Sequence, residues 1–153
     1  MADLQTEIQQ VLDRLIACWG DMRLPDIKGL WDAHEEKPYY VPEEVEEALT
    51  SWPDIEKYWQ HTMATISRLS MRIWAVEVKP LGPDLAVAVY KMHWNADVAG
   101  FPKPLGGDNR VTAIFRNTSD GWRFCHYVEA PLAAITYMRQ LYELNVDESF
   151  KNN

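Results

Sequence analysis

The chain is poor in cysteine, in positive charge and in long apolar runs. Cys18 and Cys125 are its only cysteines, and neither belongs to a CxxC or metal-ligand pattern. Two isolated thiols in a 153-residue chain read as reduced and structural rather than as a disulfide. Lys and Arg number 15 against 23 Asp and Glu, a formal charge of −8. That deficit argues against nucleic acid and against an anionic membrane surface, both of which demand excess positive charge. The longest apolar run, Leu85 to Tyr90, falls far short of the roughly 18 residues that suggest a membrane span. The first residues carry neither a basic segment nor a continuous apolar stretch, so no signal peptide is read and a cytoplasmic protein is expected.

Signature motifs are missing too. There is no Gly-x-Ser-x-Gly, P-loop or GxGxxG, and Gly106-Gly107-Asp108 reads as a turn rather than a phosphate cradle. His34 sits beside Glu35 and Glu36 without HxH or HExxH spacing, so neither a metal nor a cofactor is expected.

What is present is globular composition, 47% apolar and 25% charged, over a length typical of a single domain spanning 1–153. Leu4, Ile8, Val11, Leu12, Leu15, Ile16 and Trp19 recur at helical spacing, with Asp3 placed to cap the start and Gly20 the end. Pro25 opens a short second helix carrying Ile27, Leu30 and Trp31. The glutamate-rich stretch 34–47 reads as a solvated loop or lid edge. Ser51-Trp52-Pro53-Asp54 is a helix start, with Ile55, Tyr58, Trp59, Thr62, Met63 and Ile66 on one face behind it.

The period then changes to two. Strands are expected over about 71–78, 85–96, 110–117 and 122–129, the last two joined at Thr118-Ser119-Asp120-Gly121. Pro131 is expected to open a C-terminal helix to about 145, ahead of a polar tail over 147–153. Helices followed by antiparallel strands predict an α+β domain with helices laid on a sheet.

Strict alternation sorts the last three strands into two faces. One carries Lys91, His93, Arg110, Cys125, Tyr127 and Glu129; the other carries Tyr90, Met92, Trp94, Phe115, Trp122 and Phe124. The phase across the 98–109 loop is open. One helix layer covers one face, and such an aromatic patch would not stay in water. Either the C-terminal helix folds over Tyr90, Met92, Trp94, Phe115, Trp122 and Phe124, or a second copy does, and a twofold homodimer is the commonest symmetric solution. Pairing Asn117 with Trp122 across the turn sets Arg110 opposite Glu129.

Gly100-Phe101-Pro102-Lys103-Pro104, Arg110-Val111, Asp120-Gly121-Trp122, His126-Tyr127 and Ala130-Pro131 together resemble a known pattern. It is similar to the nuclear-transport-factor-2-like superfamily, and within it to SnoaL-like proteins and the association domain of calcium/calmodulin-dependent protein kinase II. The resemblance covers roughly residues 4–131 and is most specific over 100–131. It implies a cone-shaped, cystatin-like α+β fold, in which a curved antiparallel sheet wraps N-terminal helices around a deep pocket, usually in dimers. The association domains carry pocket arginines on three successive strands. The matching positions here are Lys91, Arg110 and Glu129, so one arginine is kept, one is a lysine and one a carboxylate. The helix after Pro131 goes beyond the association-domain pattern.

Arg110 facing Glu129 inside a pocket would be a buried ion pair, with Lys91 as a third member. Such a pair persists only if well hydrogen-bonded. In one reading Glu129 is a general base and Arg110 or Lys91 stabilises an enolate or binds a carboxylate; in the other the pair merely orients strands. His61 and His93 are either further acid–base groups or polar rim residues. Tyr40, Tyr58, Trp59, Trp74 and Tyr127 are expected to line the cavity and suit an apolar or aromatic ligand with one anionic group. Two functions follow: an isomerase, dehydratase or cyclase acting by proton abstraction next to a carbonyl, or a non-catalytic ligand-binding or oligomerisation module.

Overall fold

A computed structural model describes residues 3–133 and 135–151. Helix α1 (Leu4–Gly20) begins where the Asp3 carboxylate accepts the Thr6 N–H at 2.7 Å. Its Ile8, Val11, Leu12, Leu15, Cys18 and Trp19 form one buried face, each large side chain stabilising the fold by about 1.5–3 kcal/mol. Gly20 is still helical, and Asp21 takes the C-cap position. Helix α2 (Leu24–Lys28) carries Pro25 in its first turn, as expected. Helix α3 (Trp52–Thr65) starts at Ser51, whose hydroxyl accepts the Asp54 N–H, and buries Ile55 and Trp59 completely.

Five strands make one sheet: β1 (Tyr39–Val41), β2 (Ile66–Pro80), β3 (Leu85–Val98), β4 (Leu105–Thr118) and β5 (Gly121–Leu132). Their order is β1-β5-β4-β3-β2; the β1–β5 pair is parallel and the rest are antiparallel. Pro131 does not open a helix. It pairs with Asn109 near the end of β5, because the ladder with β4 runs on to Leu132. The C-terminal helix α4 (Ile135–Leu144) therefore starts later than expected, and the polar tail contains a short α5 (Glu148–Lys151).

Two β-bulges decide which side chains face the helices. In β2 the register jumps between Trp74↔Lys91 and Glu77↔Val89, with Ala75 at φ +53°. Parity inverts there, so Leu69, Met71 and Ile73 share the inner face with Val76 and Val78. The ladder carbonyl of Val76 accepts the Gln5 side-chain amide of α1 at 2.9 Å. In β5, Phe115 pairs with Phe124 but Ile114 pairs with His126, which leaves Cys125 as the extra residue. Phe124, Tyr127 and Glu129 thereby come to one face, which strict alternation forbids.

That inner face is the aromatic one. Tyr90, Met92, Phe115 and Phe124 are all buried at 3% exposure or less, packed with Ile8, Leu12, Ile55 and Trp59. Trp94 and Trp122 are partly buried against the same core. The dimer surface expected from these six residues is therefore corrected: the helices of the same chain already cover that face. The outer face carries Lys91 and Arg110, cross-strand partners that are both exposed.

Candidate functional site

A backbone excursion closes one end of the fold. Tyr40 and Leu49 exchange both main-chain hydrogen bonds at 2.9 Å, so the intervening residues form a loop held at its neck. Tyr40 is also fixed through β1, where its ring stacks on that of its register partner Tyr127 at 5.2 Å. The loop carries Glu43, Glu44 and Val45 to the rim of a cavity of about 460 Å³. Tyr127 and Glu129 of β5 and Met92 and Trp94 of β3 line one side. Tyr58, His61 and Thr62 of α3, Trp19 of α1, and Leu69 and Met71 of β2 complete the lining, Met71 beside its cross-strand partner Trp94.

Glu129 is the most perturbed carboxyl in this lining. Its Oε1 accepts the Tyr127 hydroxyl at 2.9 Å and its Oε2 accepts the Glu43 backbone N–H at 3.0 Å. Burial pushes its pKa up to about 7, and the charges of Glu43 and Glu44 act the same way, against the pull of those two hydrogen bonds. Near neutral pH such a carboxyl serves as either proton donor or acceptor. The Glu43 carboxylate accepts the Trp94 indole N–H at 2.8 Å, and burial raises its pKa as well. Tyr58 donates to Glu44 in a short hydrogen bond. Burial raises the pKa of Tyr40, Tyr58 and Tyr127, so all three phenols stay protonated.

The sequence-derived site divides. Glu129, Tyr127, Tyr40, Tyr58 and His61 do line the cavity. Trp59 lies behind it, fully buried, its ring against Trp31 and Tyr40. His93, Lys91, Arg110 and Trp74 lie outside it. Trp74 is 36% exposed with the Arg72 guanidinium over its ring, and His93 contacts Asp108 at 2.8 Å and Asn95 at 3.1 Å. The Arg110–Glu129 pair is corrected as well, because the Cys125 bulge advances the register by one. Arg110 then stands opposite Ala130, and Glu129 opposite Val111. No Lys or Arg lines the cavity among the described residues, so the expected anchor for an anionic group is absent from it.

Glu43, Glu44 and Trp94 were not expected in the site. The acidic stretch reads as a solvated loop or lid edge, which gives no sign that Glu43 and Glu44 line a cavity. Among the described residues no helix is long and apolar enough to cross a membrane.

Residues 8–134 match the family model described as a SnoaL-like domain. No curated protein matches the chain significantly. Among solved structures, it is similar to a candidate dehydratase of the NTF2-like family from Streptomyces avermitilis. That match has 15% identity and a TM-score of 0.74, covering 84% of this chain and 97% of that one. It is also similar to a candidate calcium/calmodulin-dependent protein kinase II association domain from Xanthomonas campestris, at 16% identity and TM-score 0.70, covering 82% and 86%. A cystatin-like-fold protein from Caulobacter vibrioides aligns at 14% identity and TM-score 0.71, covering 88% and 93%. At these identities the likeness shows the fold, and it is the cone-shaped α+β fold expected from the sequence.

Proposed function

The chain belongs to the SnoaL-like domain family, and from that premise we propose that it is an isomerase or dehydratase acting on a small apolar or aromatic carbonyl compound, with Glu129 as its acid–base group. One observation carries the reading. A carboxyl poised near pH 7 lies in an aromatic-walled cavity, held by a phenol and a backbone N–H rather than by a cation. An ion-paired glutamate would be locked ionised and would be a weak base.

In this reading the Glu129 carboxylate takes a proton from the carbon next to the substrate carbonyl. The C–H electron pair moves into the carbonyl to give an enolate. The enolate then collapses in one of two ways: on a β,γ-unsaturated substrate the conjugated dienolate takes the proton back from Glu129 at the γ-carbon, and on a β-hydroxy substrate it expels the hydroxyl, which Glu129 protonates and which leaves as water. His61 lines the same cavity and its ring N–H supplies a hydrogen-bond donor for the developing oxyanion. The name of the Streptomyces avermitilis structure, a candidate dehydratase, agrees in reaction class. The test is solvent deuterium uptake at the α-carbon of a panel of apolar and aryl ketones, followed by NMR. The wild type is expected to catalyse exchange and Glu129→Gln is not. Equal exchange by the two proteins, or none by the wild type across the panel, overturns the reading.

A further inference from the structure

We propose that the ligand of this cavity carries an organic cation, a protonated or quaternary amine on an apolar or aromatic body. The inference rests on the cavity being the ligand site and adds to it the charge of what enters.

Three carboxyl groups from two parts of the chain converge on one hollow, Glu43 and Glu44 from the loop after β1 and Glu129 from β5. Their hydrogen-bond donors are all neutral: the Trp94 indole for Glu43, the Tyr58 phenol for Glu44, and the Tyr127 phenol and a backbone N–H for Glu129. Neutral donors hold a carboxylate in place without cancelling its charge. The usual solution for carboxylates clustered around a hollow is a facing Arg or Lys, and here Lys91 and Arg110 stand on the opposite face of the sheet. Once Glu43 and Glu44 are ionised, no Lys or Arg among the described residues lining the cavity balances them, so the ligand's cation belongs on this pair, clear of Glu129, whose work as a base an ion pair would weaken. An anionic ligand would meet only repulsion, and a neutral one would desolvate the carboxylates further without compensation.

The walls fit the same occupant. Trp94, Tyr58 and Tyr127 line the cavity beside the carboxylates, and the negative faces of such rings attract ammonium groups. Met71, Met92 and Leu69 supply the apolar surface for the rest of the molecule. Glu46 and Glu47, exposed on the same loop, add to its negative charge. The acidic stretch that reads in the sequence as a solvated edge thus becomes part of a cation site.

Three probes with one bicyclic ring system separate charge from shape: 1-naphthylmethylammonium, 1-naphthalenemethanol and 1-naphthoate, titrated calorimetrically into the full chain at pH 8. The ammonium is expected to bind at least about tenfold more tightly than the alcohol, with naphthoate weakest. Glu44→Gln, at an exposed position, is expected to weaken the ammonium several-fold and leave the alcohol unchanged. Asp120→Asn, on the β4–β5 turn outside the cavity, controls for bulk charge and is expected to change neither. If the alcohol binds as well as the ammonium, or if Asp120→Asn weakens the ammonium as much as Glu44→Gln, the cation assignment is overturned while the small-molecule reading stands. If none of the three probes binds, both fall.

Discussion

Glu43 holds Glu129 in place and raises its proton affinity at the same time. Its backbone N–H donates to Oε2 of Glu129 at 3.0 Å, while its side-chain charge pushes the Glu129 pKa upward. A loop residue and a strand residue 86 positions apart are thus coupled through one hydrogen bond and one repulsion. Positioning without neutralisation is what lets the carboxyl titrate near pH 7.

The first consequence concerns stability against pH. Below about pH 4.5 the Glu129 carboxyl is protonated in both folded and unfolded chains. Between 4.5 and about 7 the unfolded chain loses that proton and the folded chain keeps it, so stability falls as pH rises. The full loss is about 3 kcal/mol, reached above pH 7. Glu129→Gln carries no such penalty, since the amide oxygen can accept the Glu43 N–H and the Tyr127 hydroxyl can turn to accept the amide. Glu43, whose pKa burial raises, is present in both proteins, and Tyr40, Tyr58, Tyr90 and Tyr127 stay neutral. Urea unfolding at pH 4, 5.5 and 8 should show the variant gaining on the wild type as pH rises. A constant difference would contradict this.

Arg110 tests the corrected register. It is exposed and faces Ala130 rather than a carboxylate, so Arg110→Ala should move the urea midpoint by no more than about 0.5 kcal/mol equivalent. A buried pair with Glu129 would instead cost about 3–5 kcal/mol.

Arg116 makes the ion pairs that matter for stability. Its Nη1 lies 2.7 Å from Asp32, whose side chain is 4% exposed, and 2.8 Å from Glu35. Burial raises the Asp32 pKa, but the guanidinium and the His34 N–H outweigh it and bring the net shift below the ordinary value. That stabilisation is present above the ordinary aspartate pKa and is lost as pH falls through the depressed one. Arg116→Ala should cost about 2–3 kcal/mol at pH 7, less than a fully buried pair because the guanidinium is 36% exposed. The cost should shrink in acid, as urea unfolding at pH 7 and pH 3 would show.

The starts of α1 and α3 were legible because capping is local: Asp3 and Ser51 each act within three residues of themselves. The four long strands were legible from alternation, though each runs longer than its alternating stretch. What alternation could not supply was the pair of bulges. Ala75 and Cys125 carry no local signature, since neither is a glycine and their extra positions are fixed by the partner strands β3 and β4. One unread residue in β5 put Tyr127 and Glu129 on the Lys91 face and Glu129 beside Arg110. It left intact the reading of Glu129, Tyr127, Tyr40, Tyr58 and His61 as cavity residues. The short β1 and the inward turn of Glu43 depend on Tyr40 pairing with Tyr127 and with Leu49, contacts remote in sequence.

The most direct measurement is a carboxyl-carbon NMR titration of selectively labelled glutamate, with the Glu129 resonance assigned by its loss in Glu129→Gln. The account predicts a midpoint near pH 7, moved higher in Tyr127→Phe, which removes one hydrogen-bond donor to the ionised form. A midpoint near 4.5, unmoved by Tyr127→Phe, would contradict it.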